Sequence, residues 1–279
     1  MGIQVHLTLR AAPDFPVEAA ALTPDNVDGK DRDAILALPL LVGNQKKCVS
    51  DYFEAAITDD GPEEGPTLVL SGDLSRFRHL GEGMTHGRLV VEGPAGFHAG
   101  AWMSGGGLTV RGDAGDCLGA HMAGGLIEVT GNAGHFTGSA YRGYDQGMTG
   151  GTILIRGDAG QMTGARMCRG LIAVQGGCGD LAGYFMHAGT VLIGGLVKVR
   201  AGANMSRGTI MLFSKPEEFM PTFRFNCVYR PSFWPILRAC LAGRGFDLPD
   251  AGPDAAFASY SGDVNEAGKG EILLWSSAR

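Results

Sequence analysis

Seven registered copies of one short unit constrain this chain more than any other feature. Glycines recur at Gly81, Gly100, Gly119, Gly138, Gly164, Gly183 and Gly202, in steps of 19 residues with a single step of 26. Methionines keep the same steps at Met84, Met103, Met122, Met148, Met167, Met186 and Met205. A third series runs through Gly87, Gly106, Gly125, Gly151, Gly170, Gly189 and Gly208. Each of its members precedes an apolar pair two residues apart, from Leu89/Val91 through Ile127/Val129 to Ile210/Leu212. The long step inserts seven residues between Gly138 and Met148, within the stretch Ser139 to Gly147. A fixed period of this length marks a stacked-repeat architecture.

The chain holds 46 glycines in 279 residues, 35 of them between Gly72 and Gly208. No G-X-Y period accompanies them, which excludes collagen. Each unit offers one alternating strand and shorter segments broken by glycine. None offers a helical run of about 8–20 residues, so ankyrin-like and tetratricopeptide-like arrays are excluded. Leucine-rich repeats need several leucines and a recurring Asn per unit, which are absent. The pattern predicts an all-β solenoid, a right-handed parallel β-helix of about seven 19-residue coils. Coils of this kind stack about 4.8 Å apart, so seven span roughly 30 Å. A left-handed hexapeptide helix would show a six-residue echo, and a pectin-lyase-type helix longer, irregular coils with an acidic cleft. Neither matches.

The methionine column is expected inside, where an unbranched thioether fills uneven gaps. No cysteine or histidine column accompanies it, so it reads as packing and not as a metal site. The column Ala95, Ala114, Ala133, Ala159, Cys178 is uniformly small and is expected against a narrow interior.

Outside the repeat, residues 1–71 read as an N-terminal cap with a lead-in strand, 72–213 as the glycine-rich stack, and 214–279 as a C-terminal α/β tail packed on it. Ile3, Val5 and Leu7 alternate as a strand. Asp31 to Leu41 reads as a short helix, Tyr52 to Ile57 as a strand, Asp59 to Pro66 as an acidic turn, and Thr67 to Leu70 as a strand with Leu68 and Leu70 inward. In the tail, Pro235 to Ala242 reads as a helix and Lys269 to Trp275 as a closing strand. Phe223, Phe225, Tyr229, Phe233 and Trp234 carry much of the aromatic area. Leu154, Ala173, Leu192 and Met211 form an outward apolar column that the tail, or a partner protein, must cover.

Composition narrows function only by exclusion. Lys and Arg total 23 against 29 Asp and Glu, for a formal charge of -6, which does not suit nonspecific binding of nucleic acid. No apolar run reaches the roughly 18 residues of a membrane span, and the first residues lack the form of a signal peptide. Six dispersed cysteines with no CxxC pair suggest reduced thiols and a cytoplasmic protein.

The stack shows no convincing catalytic centre. Its G-x-G strings are corners of the repeat, and no Rossmann, Walker or HExxH pattern occurs. Asp113, Asn132 and Asp158 share one corner position and are expected to accept hydrogen bonds from turn backbone. His98 shares a position with Cys117, Phe136, Met162 and Leu181 and reads as a packed histidine. Arginines recur at outward positions: Arg111 with Arg156, and Arg169 with Arg207 beside Arg166. Guanidinium groups on a rigid surface can hold carboxylates bidentately; solubility and partner salt bridges are the plainer reading. The insertion around Tyr141-Arg142-Gly143-Tyr144-Asp145-Gln146 interrupts a strict stack, and such loops often lie on a binding face.

The units GDAGDCLGAHMAGGLIEV (Gly112 to Val129) and GDAGQMTGARMCRGLIAV (Gly157 to Val174) resemble the C subunit of formylmethanofuran dehydrogenase. So do the inserted loop, the tail PTFRFNCVYRP (Pro221 to Pro231) and the ending YSGDVNEAGKGEILLW (Tyr260 to Trp275), a likeness running roughly over residues 38 to 275. The repeats are shared with the C-terminal part of the glutamate synthase large subunit; the tail favours the dehydrogenase family.

The resemblance implies a non-catalytic scaffold in a cytoplasmic heteromeric complex. One setting is a bacterial formyltransferase/hydrolase complex, which moves formyl from tetrahydromethanopterin to a methanofuran analogue and hydrolyses the product to formate. Its implied partners are an amidohydrolase-like catalytic subunit, a formyltransferase subunit and a further dehydrogenase-like subunit. The alternatives are the C subunit of a molybdenum or tungsten dehydrogenase, a pure assembly protein, or a glutamate synthase domain. No tightly bound cofactor is implied for this chain, and any metals belong to the partners. The resemblance implies a methanofuran analogue (methylofuran) with a polyglutamyl tail; from their recurrence as positive surface on the stack and loop, Arg142, Arg166, Arg169 and Arg207 are expected to guide it.

Overall fold

The computed structural model describes residues 2–61, 65–249 and 251–277. Each 19-residue unit lays one short strand into a common sheet. The strands Arg88–Glu92, Gly107–Val110, Leu126–Val129, Thr152–Ile155, Leu171–Val174, Thr190–Ile193 and Arg207–Leu212 pair in parallel, in sequence order. Their register matches the repeat, with Leu89, Leu108, Ile127, Ile153, Ile172, Val191 and Ile210 aligned across the ladder. A second parallel column of single bridges joins Leu74, Ala95, Ala114, Ala133, Ala159, Cys178 and Val197. Each unit thus contributes one sheet strand and one bridge, and both columns bury side chains in the same core.

The interior follows the sequence columns. All seven repeat methionines are fully buried, as are the first residues of the apolar pairs, and the small Ala column is buried at the bridges. Close approach demands glycine at specific points. A Cβ on Gly150 would lie 2.2 Å from the backbone oxygen of Ala123 in the preceding unit. Corner polar groups form a ladder: the Asn132 amide donates to Asp113 Oδ1 (2.7 Å), the Asp158 amide to Asn132 Oδ1 (2.8 Å) and the Gly177 amide to Asp158 Oδ1 (2.7 Å). Asp113, Asn132 and Asp158 are therefore turn acceptors.

The flanks extend the sheet to thirteen strands. Gly2–Leu9 runs parallel to Thr67–Ser71 and antiparallel to Phe53–Gly61. Leu68 and Leu70 point inward and join the same core as the methionines. The helix expected over Asp31 to Leu41 is shorter. Asp31 caps it by accepting from the Ala34 amide (2.8 Å), and it spans Arg32–Leu36. Pro39 lacks an amide and disfavours helix in the residue before it, and the strand Pro39–Val42 follows. The acidic turn falls partly on 62–64, outside the described residues; Asp59 and Asp60 belong to the end of the strand Phe53–Gly61.

The tail supplies the strands Arg224–Tyr229, Phe257–Gly262 and Lys269–Trp275 and the helix Trp234–Ala242. It covers the outward apolar column. Leu154, Ala173, Leu192 and Met211 form one buried cluster with Phe213, Trp234, Leu241, Phe246 and Phe257. Trp234 also donates from Nε1 to the Gly252 carbonyl at 2.9 Å. Phe223 is buried, whereas Phe225 and Phe233 stay exposed. Arg156 is drawn into this packing, since its guanidinium bonds the carbonyls of Gly245 and Arg244.

Candidate functional site

Every unit turns a corner in the left-handed backbone region. Among the described residues, all non-glycine positive-φ positions fall in two columns four residues apart. One runs His79, His98, Cys117, Phe136, Met162, Leu181, Arg200; the other runs Trp102, His121, Arg166, Phe185, Asn204, with Gly83 at its start. A left-handed residue with a Cβ costs roughly 1–2 kcal/mol. The conformation aims each amide at the next unit: His98 donates to Asp116 O, Trp102 to Ala120 O, and Cys117 to His135 O, each at 2.8 Å. Each bond returns about 0.5–1.5 kcal/mol.

The same geometry throws side chains outward at the spacing of the units, so rings stack. His79 lies on His98 with centroids 4.5 Å apart. Trp102 lies on His121 at 4.0 Å with an interplanar angle of 4°. Further along, the Arg166 guanidinium sits 5.0 Å over the Phe185 ring.

The inserted loop breaks the second column at Ala140 and docks on these ladders. The Tyr141 amide donates to His121 Nε2 (2.8 Å), which places that imidazole's proton on Nδ1. The Tyr141 hydroxyl meets His98 Nδ1 at 3.0 Å. Tyr144 packs 4.8 Å from the His121 ring and 5.7 Å from Trp102. On the other side, Arg166 pairs with Asp145 at 3.2 Å, and His187 Nε2 meets the Asp145 carbonyl at 3.2 Å.

Burial sets the protonation of this cluster. His98 and His121 titrate below the ordinary imidazole range, chiefly because burial disfavours the cation. His79 and Arg78 push His98 further down, while a hydrogen bond with the Gln146 backbone partly restores His121. The Tyr141 phenol is pushed up, mainly by burial, and so stays neutral. The Cys117 thiol beside it is raised to about 11 by burial and by Asp116, which makes it a poor nucleophile.

Between the loop and the corner lies an open pocket of about 590 Å³. Apolar Phe136, Met162 and Ala165 line it together with Tyr141, Tyr184 and the two arginines Arg142 and Arg166. The structure thus brings two of the four candidate arginines to one site. Arg169 and Arg207 are exposed on the row that leads into the sheet strands and do not line this pocket. Arg111 pairs with Glu92 at 3.0 Å on the surface. Sequence reasoning misses Trp102, His121 and Tyr184; aligning the units by 19 residues puts Trp102 and His121 in one column, which is the available signal. His98 is half-buried and packed, as expected, with the added partner Tyr141. Among the described residues, no group of three or more His, Cys, Asp or Glu is arranged to hold a metal, and no helix is long and apolar enough to cross a membrane.

The fold and this corner site define a class, that of glycine-repeat chains with a parallel-stranded stack, and comparison with known proteins narrows it. The GXGXG motif family matches residues 69–229. Over 270 residues the chain is 43% identical to the C subunit of the tungsten-containing formylmethanofuran dehydrogenase 2 of Methanococcus maripaludis, covering 96% of this chain and 95% of that protein. The C subunit of a molybdenum-containing formylmethanofuran dehydrogenase 1 from Methanosarcina barkeri is 38% identical over 96 residues, 34% of this chain and 32% of that protein. A chain of the formyltransferase/hydrolase complex (FhcABCD) of Methylorubrum extorquens, solved in complex with methylofuran, superposes with a TM-score of 0.88 at 30% identity, covering 97% of this chain and 99% of that one. The chain belongs to the family of formylmethanofuran dehydrogenase C subunits, within the GXGXG motif family. It is therefore homologous to one component of a multi-subunit enzyme complex.

Proposed function

We propose that this chain is a non-catalytic scaffold of a formyltransferase/hydrolase complex, which transfers formyl from formyl-tetrahydromethanopterin to a methanofuran analogue and releases formate. The near-complete superposition on a chain of the Methylorubrum extorquens complex carries this reading. The coils are read as a right-handed parallel β-helix, supported by one parallel sheet strand and one parallel bridge per unit. The catalytic steps are assigned to an amidohydrolase-like subunit and a formyltransferase subunit, alongside a further dehydrogenase-like subunit.

The chain's own part is to guide the carrier's polyglutamyl tail. Arg142 and Arg166 hold carboxylates at the pocket, and Arg169 and Arg207 continue the positive path along the stack. Arg166 already pairs with Asp145, which is 96% exposed, so an incoming carboxylate displaces a solvated partner at little cost. The test measures binding of an oligoglutamate peptide to the full chain at about 50 mM and about 500 mM salt, where screening differs severalfold. Binding weakens with salt and falls in Arg142→Ala and Arg166→Ala; salt-independent binding unaffected by these substitutions overturns the guiding role.

A second reading, the C subunit of a molybdenum or tungsten formylmethanofuran dehydrogenase, is favoured by the 43% identity to the tungsten-containing relative. Native affinity purification with metal analysis separates the two. Zinc with an amidohydrolase-like chain and a formyltransferase supports the first; molybdenum or tungsten with iron–sulfur subunits supports the second.

A further inference from the structure

The thirteen-stranded sheet ends on two unlike edges. One is Phe53–Gly61, where buried Phe53 and Ala55 alternate with exposed Glu54 and Ala56. A charge on an edge strand disfavours addition of another strand. The other edge is Arg224–Tyr229, whose first five residues are all exposed. Phe225 and Val228 keep 59% and 54% of their surfaces in solvent. Among the described residues, the only ladder of this strand is with Phe257–Gly262, so its outer row of backbone groups faces away from the sheet. Between Arg224 and Arg230 it carries no charge and no proline. Its pairing with Phe257–Gly262 is irregular between Phe225 and Cys227, and its one charge, Arg224, stands at its first position; the uncharged apolar stretch that follows leaves a template for strand addition.

We propose that this edge receives an extended segment of a partner protein, apolar at its centre and acidic at both flanks, as an added strand. The open backbone row selects an extended chain, and Phe225 and Val228 select an apolar centre. Arg224 and Arg230, both exposed at the two ends, select acidic flanks. A second copy fits poorly. Antiparallel self-pairing centred on Asn226 and Cys227 sets Arg224 opposite Tyr229 and next to Arg230 of the copy, and like charges side by side are destabilising. The partner belongs to the complex whose family this chain joins.

The experiment compares hydrogen exchange in the full chain alone and in its purified native complex, with a photo-crosslinker at position 226. Amides of residues 224–229 slow at least about tenfold on assembly, while those of 53–58 do not. Crosslinks fall on one continuous segment of another subunit that carries acidic residues on both flanks. Unchanged exchange at 224–229, crosslinks to a second copy, or crosslinks scattered over several segments overturn the proposal. The double substitution Phe225→Lys/Val228→Lys removes the edge contact of Phe225 with Tyr260, so the chain melts a few degrees lower at most but still cooperatively, and recovery of that subunit in the complex is cut; undiminished recovery is equally fatal.

Discussion

The methionine column and the left-handed columns repeat at the same spacing, yet they obey different rules. Inside, one residue type serves at all seven positions, because every unit presents the same gap and an unbranched side chain fills it. Outside, the corner backbone is equally regular, but its side chains are His, Cys, Phe, Met, Leu and Arg in one column and Trp, His, Arg, Phe and Asn in the other. No shared core demands one shape there. The units agree where they hold the fold and differ where their side chains face outward, and the inserted loop sits on the differing side.

Substitutions of graded severity break that contrast. The largest effect is expected at the contacts between units. Gly150→Val drives a side chain into the Ala123 backbone oxygen and destabilises the chain by about 4 kcal/mol or more, read by urea unfolding of the full chain. Next, Met167→Ala opens a cavity in the interior column and costs about 2–5 kcal/mol in the same assay.

On the outer columns the effect becomes local. His121→Ala removes the acceptor for the Tyr141 amide and the ring beneath Trp102, so about 1–2 kcal/mol is lost. Trypsin then cuts after Arg142 faster, while global unfolding stays cooperative. A smaller effect follows from pH. His98 and His121 have lowered pKa values in the folded state, so the unfolded chain takes up protons first as pH falls. Their contribution is complete above about pH 6.5 and declines below it. Loop cleavage therefore quickens between about pH 7.5 and about 5.5, and His121→Phe flattens part of that rise. The smallest change is Arg142→Ala, expected within about 0.5 kcal/mol of the parent because the side chain is exposed.

Legibility in the sequence follows the same division. Inward columns repeat by residue type, so the strands, the buried methionines and the small bridge column are readable from spacing. The apolar run Leu154, Ala173, Leu192, Met211 is readable because an uncovered patch needs a cover, and the tail provides it. The helix Arg32–Leu36 falls short of its expected length because the apolar run continues past Pro39 into a strand. The clamp of Trp102, His121, Tyr141 and Tyr144 is legible only in part: spacing aligns Trp102 with His121 but does not bring the loop tyrosines onto them. It depends on a left-handed backbone that non-glycine residues seldom adopt, held here by bonds to the next unit. Of the candidate arginines, Arg142 and Arg166 converge because the loop folds back on the corner, which spacing alone does not reveal.

Deleting the loop tests this division directly. Removing Tyr141 to Gly147 restores the 19-residue step, with Ala140 at the position held by His121 one unit earlier. Melting of the shortened chain and its binding of the oligoglutamate peptide are then measured together. If the stack holds the fold and the loop serves binding, the melting temperature stays within about 4 °C of the parent, equivalent to about 1–2 kcal/mol for a chain of this size, and binding is weaker and less salt-sensitive. Loss of cooperative folding, or binding equal to that of the parent, contradicts that division of labour.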